Sequence, residues 1–510
     1  MYPIYNKMKT KIITILISCW AIVSCSNNDN TTSKDRKEEI PLIKTTCTIN
    51  ELQEGKVSIM VSTGNRAKTF ECNTEDLIQV SSGGSNILID KSTKYQTIYG
   101  FGAAITGSTC YNLLKMNPED RKNFLKETFS VTEGLGQSYI RVPIGCSDFS
   151  LSEYTCCDKE GIENFAFTEE ETAYIIPILK EILAINPDIQ IIGSSWTAPR
   201  WMKVNNLTDL KPHYQWTSGH LNPKYYDDYA TYFVKWIQAM KSYDITVDAI
   251  TIQNEPLNRG NSASMFMGWE EQLAFIKTAL GKKLAQSGLK TKIYLFDHNF
   301  NYDNMADQKD YPLNIYQDAE VAQQVAGAAY HNYGGNYNEL DKIHAQRPDK
   351  ELIFTETSIG EWNDGRNLGR HLVEDMEQIG TGLLNNWCQA VIVWNLMLDE
   401  NGAPNREHGC KTCFGAVDIN SKDYETLTKN SHYYVIGHLS SVIKPNAVRI
   451  KHTISNLSGV DCSAFENKDG SYAVVVLNKN QSAKEIVISD GVKRFKYTIP
   501  ENAVASFRWK

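Results

Sequence analysis

Eight short apolar, β-prone runs recur between residues 97 and 394, each followed by a longer amphipathic stretch, and no other feature of the chain limits its possible folds so sharply. The runs are Thr97 to Phe101, Ser138 to Val142, Ile189 to Ser194, Ala249 to Gln253, Lys292 to Phe296, Ala326 to Tyr330, Leu352 to Thr355 and Ala390 to Trp394. Repeated βα units of this kind set parallel strands side by side with helices outside them, and eight of them predict a closed (β/α)8 barrel. The helical stretches carry their own signals. Thr168 can cap a helix with Glu171 three residues on, and Tyr174, Ile175, Ile178, Leu179 and Ile182 then follow helical spacing. Residues 225–240 and 270–286 read the same way.

Short strand-like pieces flank the barrel on both sides. Lys56 to Val61 and Asn86 to Asp90 precede it; Ala473 to Leu477, Glu485 to Ile488 and Phe495 to Ile499 follow it, with Asp469-Gly470 as a hairpin turn. Residues 40–96 are too few for a core of their own, so they are expected to join the C-terminal strands in one β-sandwich beside the barrel. The predicted division is a leader over 1–25, a tether over 26–39, N-terminal strands over 40–96, the barrel over 97–440 and the sandwich over 441–510.

The leader has Lys7, Lys9 and Lys11 before an apolar run over 12–24 that is too short to span a bilayer. It ends in Ile22-Val23-Ser24-Cys25, which resembles a bacterial lipobox, so Cys25 is the expected lipidation site. A rival box ends at Cys19, and an ordinary cleaved leader is the alternative. The expectation is an exported lipoprotein of the outer membrane, cell surface or periplasm that touches membrane only through this anchor. Twelve cysteines occur in the chain, and outside the leader disulfides can persist in such a compartment. Cys410-Lys-Thr-Cys413, with His408 nearby, reads as a disulfide or free thiols in a loop rather than a zinc site, since no fourth ligand is evident. A formal net charge of −8 leaves no basic field for nucleic acid, and a neutral partner such as a polysaccharide fits better.

Barrel enzymes carry their chemistry where strands end, so the polar residues after each run are the ones to inspect. Glu255 follows the fourth run and Glu356 the seventh. Two carboxyl groups about 5 to 5.5 Å apart across a barrel mouth suit cleavage of a glycosidic bond with retention, one attacking and one delivering a proton. The alternative is a pair of solvated loop acids. No Walker A, HExxH or GxSxG pattern is present, and Gly107 falls too late for Gly100-Phe101-Gly102 to open a dinucleotide loop.

Seven motifs in order then match a known family: GFGAAITG from Gly100, YIRVPIGCSDFS from Tyr139, SSWTAPRWMK from Ser194, QNEP from Gln253, YHNY from Tyr330, FTET from Phe354 and WNLMLDENGAPN from Trp394. From Gly100 to Pro445 the chain resembles glycoside hydrolase family 30, the group containing lysosomal glucosylceramidase and the β-1,6-glucanases. The resemblance implies Glu255 as general acid/base and Glu356 as nucleophile. It places Asn254 on the sugar 2-hydroxyl, Arg141 and Asp148 on the nucleophile or sugar hydroxyls, Trp196 and Trp394 as walls of the cleaved sugar's subsite, and His331 and Tyr333 near the nucleophile. Structural readings stand beside four of these: an ion pair inside the barrel for Arg141, core packing for the two tryptophans and a satisfied structural histidine for His331. A raised Glu255 and an ionised Glu356 are expected. The segment Arg406 to Gly415 resembles the Gly-Cys-x-x-Cys-x-Gly loop of β-1,6-glucanases, and Gly409 is expected to leave room for a glucan continuing through the sugar 6-oxygen. The function implied is an endo-acting, retaining β-1,6-glucanase that needs no metal or organic cofactor. The alternatives are an exo-acting β-glycosidase of the same family and a non-catalytic glycan-binding lipoprotein.

Overall fold

The computed structural model describes residues 48–80 and 84–510, so Cys25 and the tether lie outside the described residues. Eight parallel strands form one sheet: β1 (Gly100–Ala103), β2 (Tyr139–Ile144), β3 (Gln190–Ser195), β4 (Ala249–Thr251), β5 (Lys292–Asn299), β6 (Gly327–His331), β7 (Glu351–Glu356) and β8 (Ala390–Val393). Their order runs β1-β8-β7-β6-β5-β4-β3-β2. The ring closes where Ala104 bridges Arg141 in parallel, with Ile105 N–H donating to Arg141 O at 2.8 Å and Ser138 N–H to Phe101 O at 2.9 Å. Glycine permits this approach: a Cβ on Gly102 would lie 2.0 Å from Tyr139 O. The first sequence run is divided, because Ile87–Thr97 belongs to the sandwich and β1 starts at Gly100.

The barrel interior is layered with the two-residue period of its strands. Tyr139, Ile192, Ala249, Tyr294, Ala329, Ile353, Ala390 and Ile392 form an apolar cluster in its lower part. Two residues further along, the same inward-facing parity delivers Arg141, Ser194, Thr251, His331, Thr355 and Trp394, all 0–1% exposed. Strand β5 departs from the pattern. Its register against β6 shifts between Phe296 and His298, and Phe296 and Asp297 both have positive φ (70° and 72°). This bulge turns Phe296 outward against Tyr302, Tyr311 and Tyr330 and brings Asp297 into the polar layer in its place.

The helices that cover the barrel follow ordinary rules. Tyr226–Ser242 buries Tyr229, Phe233, Trp236, Ile237 and Met240 on one stripe, with Asp227 and Asp228 in its first turn and Lys241 in its last. Thr168 N–H and Oγ1–H both donate to Glu171, at 2.8 and 2.6 Å, at the entry to the helix over residues 170–185.

The strands outside the barrel form one ten-stranded sheet in which both flanks of the chain interleave, and it folds over a core of Val57, Ile59, Val474, Ile486, Phe495 and Phe507. Lys56–Thr63 pairs antiparallel with Ala503–Trp509, and Ile87–Thr97 with Val448–Ile454. The predicted hairpin turn is present, with Gly470 at φ +78°. Between barrel and sandwich lies the helix Ser431–Val442, buried along its whole length. Its His438 bonds Ser506 Oγ through Nδ1 and Ser62 Oγ through Nε2, both at 2.9 Å.

Candidate active site

The polar layer converges on one ion-pair hub at the C-terminal end of the barrel. Arg141, wholly buried, donates from Nη1 to Glu356 Oε2 at 2.5 Å, and from Nη2 to Asn254 Oδ1 at 2.6 Å and Asp297 Oδ2 at 2.8 Å; its Nε–H reaches Ser194 Oγ at 3.0 Å. Asp297 also accepts from Thr251 Oγ1 at 2.6 Å, Thr355 Oγ1 at 2.5 Å and His331 Nε2 at 3.0 Å. Burial penalises its charge, but Arg141, His331 and these donors hold the carboxyl well below the usual carboxylate range. Wholly buried, Arg141 forms an ion pair inside the barrel with Glu356 and Asp297. Trp196 and Trp394, each 1% exposed, stack on one another at 5.2 Å, and the guanidinium lies 4.8 and 5.5 Å from their ring centroids. They pack on one another and brace the Arg141 cation.

Glu255 stands just beyond β4 with φ +45°, its N–H bonded to Asp297 O at 3.0 Å. Oε2 accepts from Asn258 at 2.7 Å and Asn261 at 2.8 Å, while Oε1 lies 3.5 Å from His331 Nδ1 and 3.9 Å from His298 Nε2. Glu356 ends β7, and its Oε1 accepts from Tyr333 OH at 3.1 Å. One carboxylate oxygen of each acid and a ring nitrogen of His331 lie within 4.8 Å of one another. Asp148 is partly buried in the loop after β2.

The charges differ from the expectation of a protonated Glu255 beside an ionised Glu356. Burial alone would raise Glu255, but the bond from His331, the charges of both histidines and the amide of Asn258 bring it down to about 2. Burial disfavours the His331 cation, yet Glu356, Asp297 and Glu255 push it up to about 9. Glu356 is raised by burial and the Glu255 anion, against His331 and Arg141. The proton expected on Glu255 therefore rests on His331, 3.5 Å away. Asp148 is pushed up to about 8 by burial and by the two glutamates, so it can donate to a sugar hydroxyl near neutral pH. The trio Glu255, His331 and Glu356 is spaced closely enough to surround a cation.

Cys410 and Cys413 are joined in a disulfide, which removes the zinc alternative. A Cβ on Gly409 would lie 2.3 Å from Asp148 O, so glycine allows close packing of this loop on the one after β2. Arg406 reinforces that packing, bonding Ser147 O at 2.5 Å and Glu153 at 3.0 Å. A cavity of about 420 Å³ opens at the opposite end of the barrel beside Tyr99, Tyr294 and Lys292. These three groups are already committed to Glu351.

Residues 98–443 match the model of the glycosyl hydrolase family 30 TIM-barrel domain, and 446–507 that of the family's beta sandwich domain. An endo-β1,6-glucanase of known structure superposes with a TM-score of 0.88 at 59% identity, over 89% of this chain and 99% of that one. Endo-1,6-beta-D-glucanase BGN16.3 of Trichoderma harzianum is 32% identical over 447 residues, covering 82% of this chain and 85% of its own. Lysosomal acid glucosylceramidase of Mus musculus is 29% identical over 460 residues, covering 85% of each.

Proposed function

Because the chain belongs to glycosyl hydrolase family 30, we propose that it cleaves β-1,6-linked glucan internally and with retention, using Glu356 as nucleophile and Glu255 as acid/base. The observation that carries the chemistry is the approach of both carboxylates to His331 within 4.8 Å, close to the spacing that double displacement needs. The linkage rests on the likeness to endo-β-1,6-glucanases at 59% and 32% identity.

The charge arrangement supplies a route for the proton. Glu356 attacks the anomeric carbon, and its negative charge passes into the new glycosyl bond. That removes the anion contributing most to the raised His331, so the imidazolium becomes a stronger acid as charge grows on the leaving oxygen. The proton moves from His331 Nδ1 to Glu255 and from Glu255 to the glycosidic oxygen, leaving His331 neutral and Glu255 a carboxylate. In the second step water attacks the anomeric carbon and its proton returns through Glu255 to His331. The bond to Glu356 breaks, and Arg141 and Tyr333 receive the restored carboxylate. Asn254, oriented by Arg141, is placed to bond the sugar 2-hydroxyl.

Incubation with linear β-1,6-glucan, with products sized over time, tests this reading. A ladder of short oligosaccharides is expected; glucose alone from the outset would mean action from the chain end, and activity confined to an aryl β-glycoside would move the substrate elsewhere. The lipid anchor at Cys25 belongs to the same proposal and is supported by the lipobox. Cys25→Ser is expected to move the protein from the membrane fraction to the soluble one.

A further inference from the structure

A cleft of about 400 Å³ lies between the loops after β6 and β7 and the helix Leu368–Asp375. Its lining includes Asn332, Tyr333, Thr357, Trp362 and Asn363. One of these touches the reaction centre, since Tyr333 bonds Glu356, and Thr357 is the next residue of the chain after Glu356. The cleft thus adjoins the reaction centre at Tyr333, at the ends of β6 and β7. Trp196, Trp394 and Asp148 lie toward β2, β3 and β8, on the other side of the carboxylates.

Trp362 has the features of a prepared platform. It is 53% exposed, uncommon for so large an apolar ring. One side of the ring is braced, since a Cβ on Gly360 would lie 2.1 Å from it, so glycine is what allows the ring to rest on the backbone. The turn bearing it is held: Glu361 N–H donates to Thr412 O at 2.9 Å, and Ile359–Gly360 pairs with Cys413–Phe414 beside the disulfide. A braced aromatic face in a cleft also lined by Asn332 and Asn363 suits a pyranose, which offers an apolar face and a rim of hydroxyls.

We propose that this cleft is a glucan subsite on the leaving-group side, where Trp362 stacks against a glucosyl unit beyond the cleaved bond. The proposal rests on the β-glucanase reading above and adds the path of the departing chain.

The test is Trp362→Ala against β-1,6-glucooligosaccharides of two to six units and an aryl β-glucoside, with Trp362→Phe as the conservative variant. The loss in kcat/KM is expected to be smallest on the aryl glucoside and to grow with chain length to roughly tenfold, the size of one stacking contact, with Phe restoring most of it. With the reducing end labelled, Trp362→Ala should also move the favoured cut toward that end, because longer leaving groups lose their anchor. A loss independent of chain length, or a cut moved the other way, would overturn the proposal. The wild-type rates answer the separate question of linkage. If β-1,6 oligosaccharides are not cleaved and another β-glycan is, the linkage reading falls, and a flat chain-length series in that glycan would overturn the subsite as well.

Discussion

His331 and His438 are both wholly buried in the same molecule, yet one is pushed up to about 9 and the other down to about 3. Burial opposes the charge of each. What separates them is the company: three carboxylates surround His331, whereas His438 meets two serine hydroxyls at the junction of barrel and sandwich. The neutral ring at the junction satisfies both its nitrogens. Ser506 Oγ–H donates to His438 O, so Nδ1–H donates to Ser506 and Nε2 accepts from Ser62. At the barrel mouth the proton is held by electrostatics, with Nδ1 at a long 3.5 Å from Glu255. One arrangement stores a proton that can be moved, and the other only fastens two layers together.

Glu356→Gln should disturb the mouth most. Turnover on glucan is expected to fall at least ~10³-fold while oligosaccharide still binds, measured by product release and equilibrium binding. The same variant removes the leading influence raising His331, so its imidazole should titrate at lower pH by NMR, while His438 stays neutral. Glu255→Gln comes next, with a loss of roughly 10²- to 10⁴-fold on glucan. An aryl glycoside with a good leaving group should keep a rapid first step, seen as a burst of phenol; full activity on glucan would contradict the assignment.

His331→Gln is expected to cost about 10²-fold in kcat/KM and to change the shape of the pH profile. In the wild type the active form needs the imidazolium, so activity should be lost as pH rises through about 9; it should also fall at low pH as Glu356, raised above its usual range, takes up a proton. The variant should lose the alkaline limb. The smallest effect belongs to His438→Gln, which should leave kcat alone and lower stability by about 1–3 kcal/mol. The folded pKa of His438 is about 3 and an unfolded histidine titrates near 6.5, so between these values the unfolded chain binds a proton that the folded one refuses. Wild-type stability should therefore fall as pH drops from about 6.5 toward 3, and urea titrations at pH 4 and 7 should show that slope reduced in the variant.

The mouth was far more legible in the sequence than the junction. Residues after apolar runs lead to Glu255 and Glu356 because a parallel strand must end where a barrel's chemistry begins, and the family resemblance adds His331 and Tyr333. Asp297 escaped that reading, although Asp297-His298-Asn299 directly follows the fifth run. Strict alternation from Tyr294 would point Phe296 inward; only the bulge exchanges it for Asp297, and a bulge leaves no mark on apolar periodicity. The location of the proton was also hidden, since it depends on distances among three groups far apart in the chain. At the junction, the strand-like character of Lys56–Thr63 was visible, but its partner Ala503–Trp509 was not, because pairing over such separations has no local signature.

That last pairing also sets an order of events during synthesis. Ala503–Trp509 lies between Lys56–Thr63 and Tyr472–Asn478 in the sheet, so an early strand waits for a neighbour that emerges only after the whole barrel has been made. While the barrel between them is being made, the edge of Lys56–Thr63 needs shelter from other chains. A premature stop before residue 503 would spare every group at the barrel mouth and still leave two strands without their shared partner, so the loss falls inside the sheet and not at its edge.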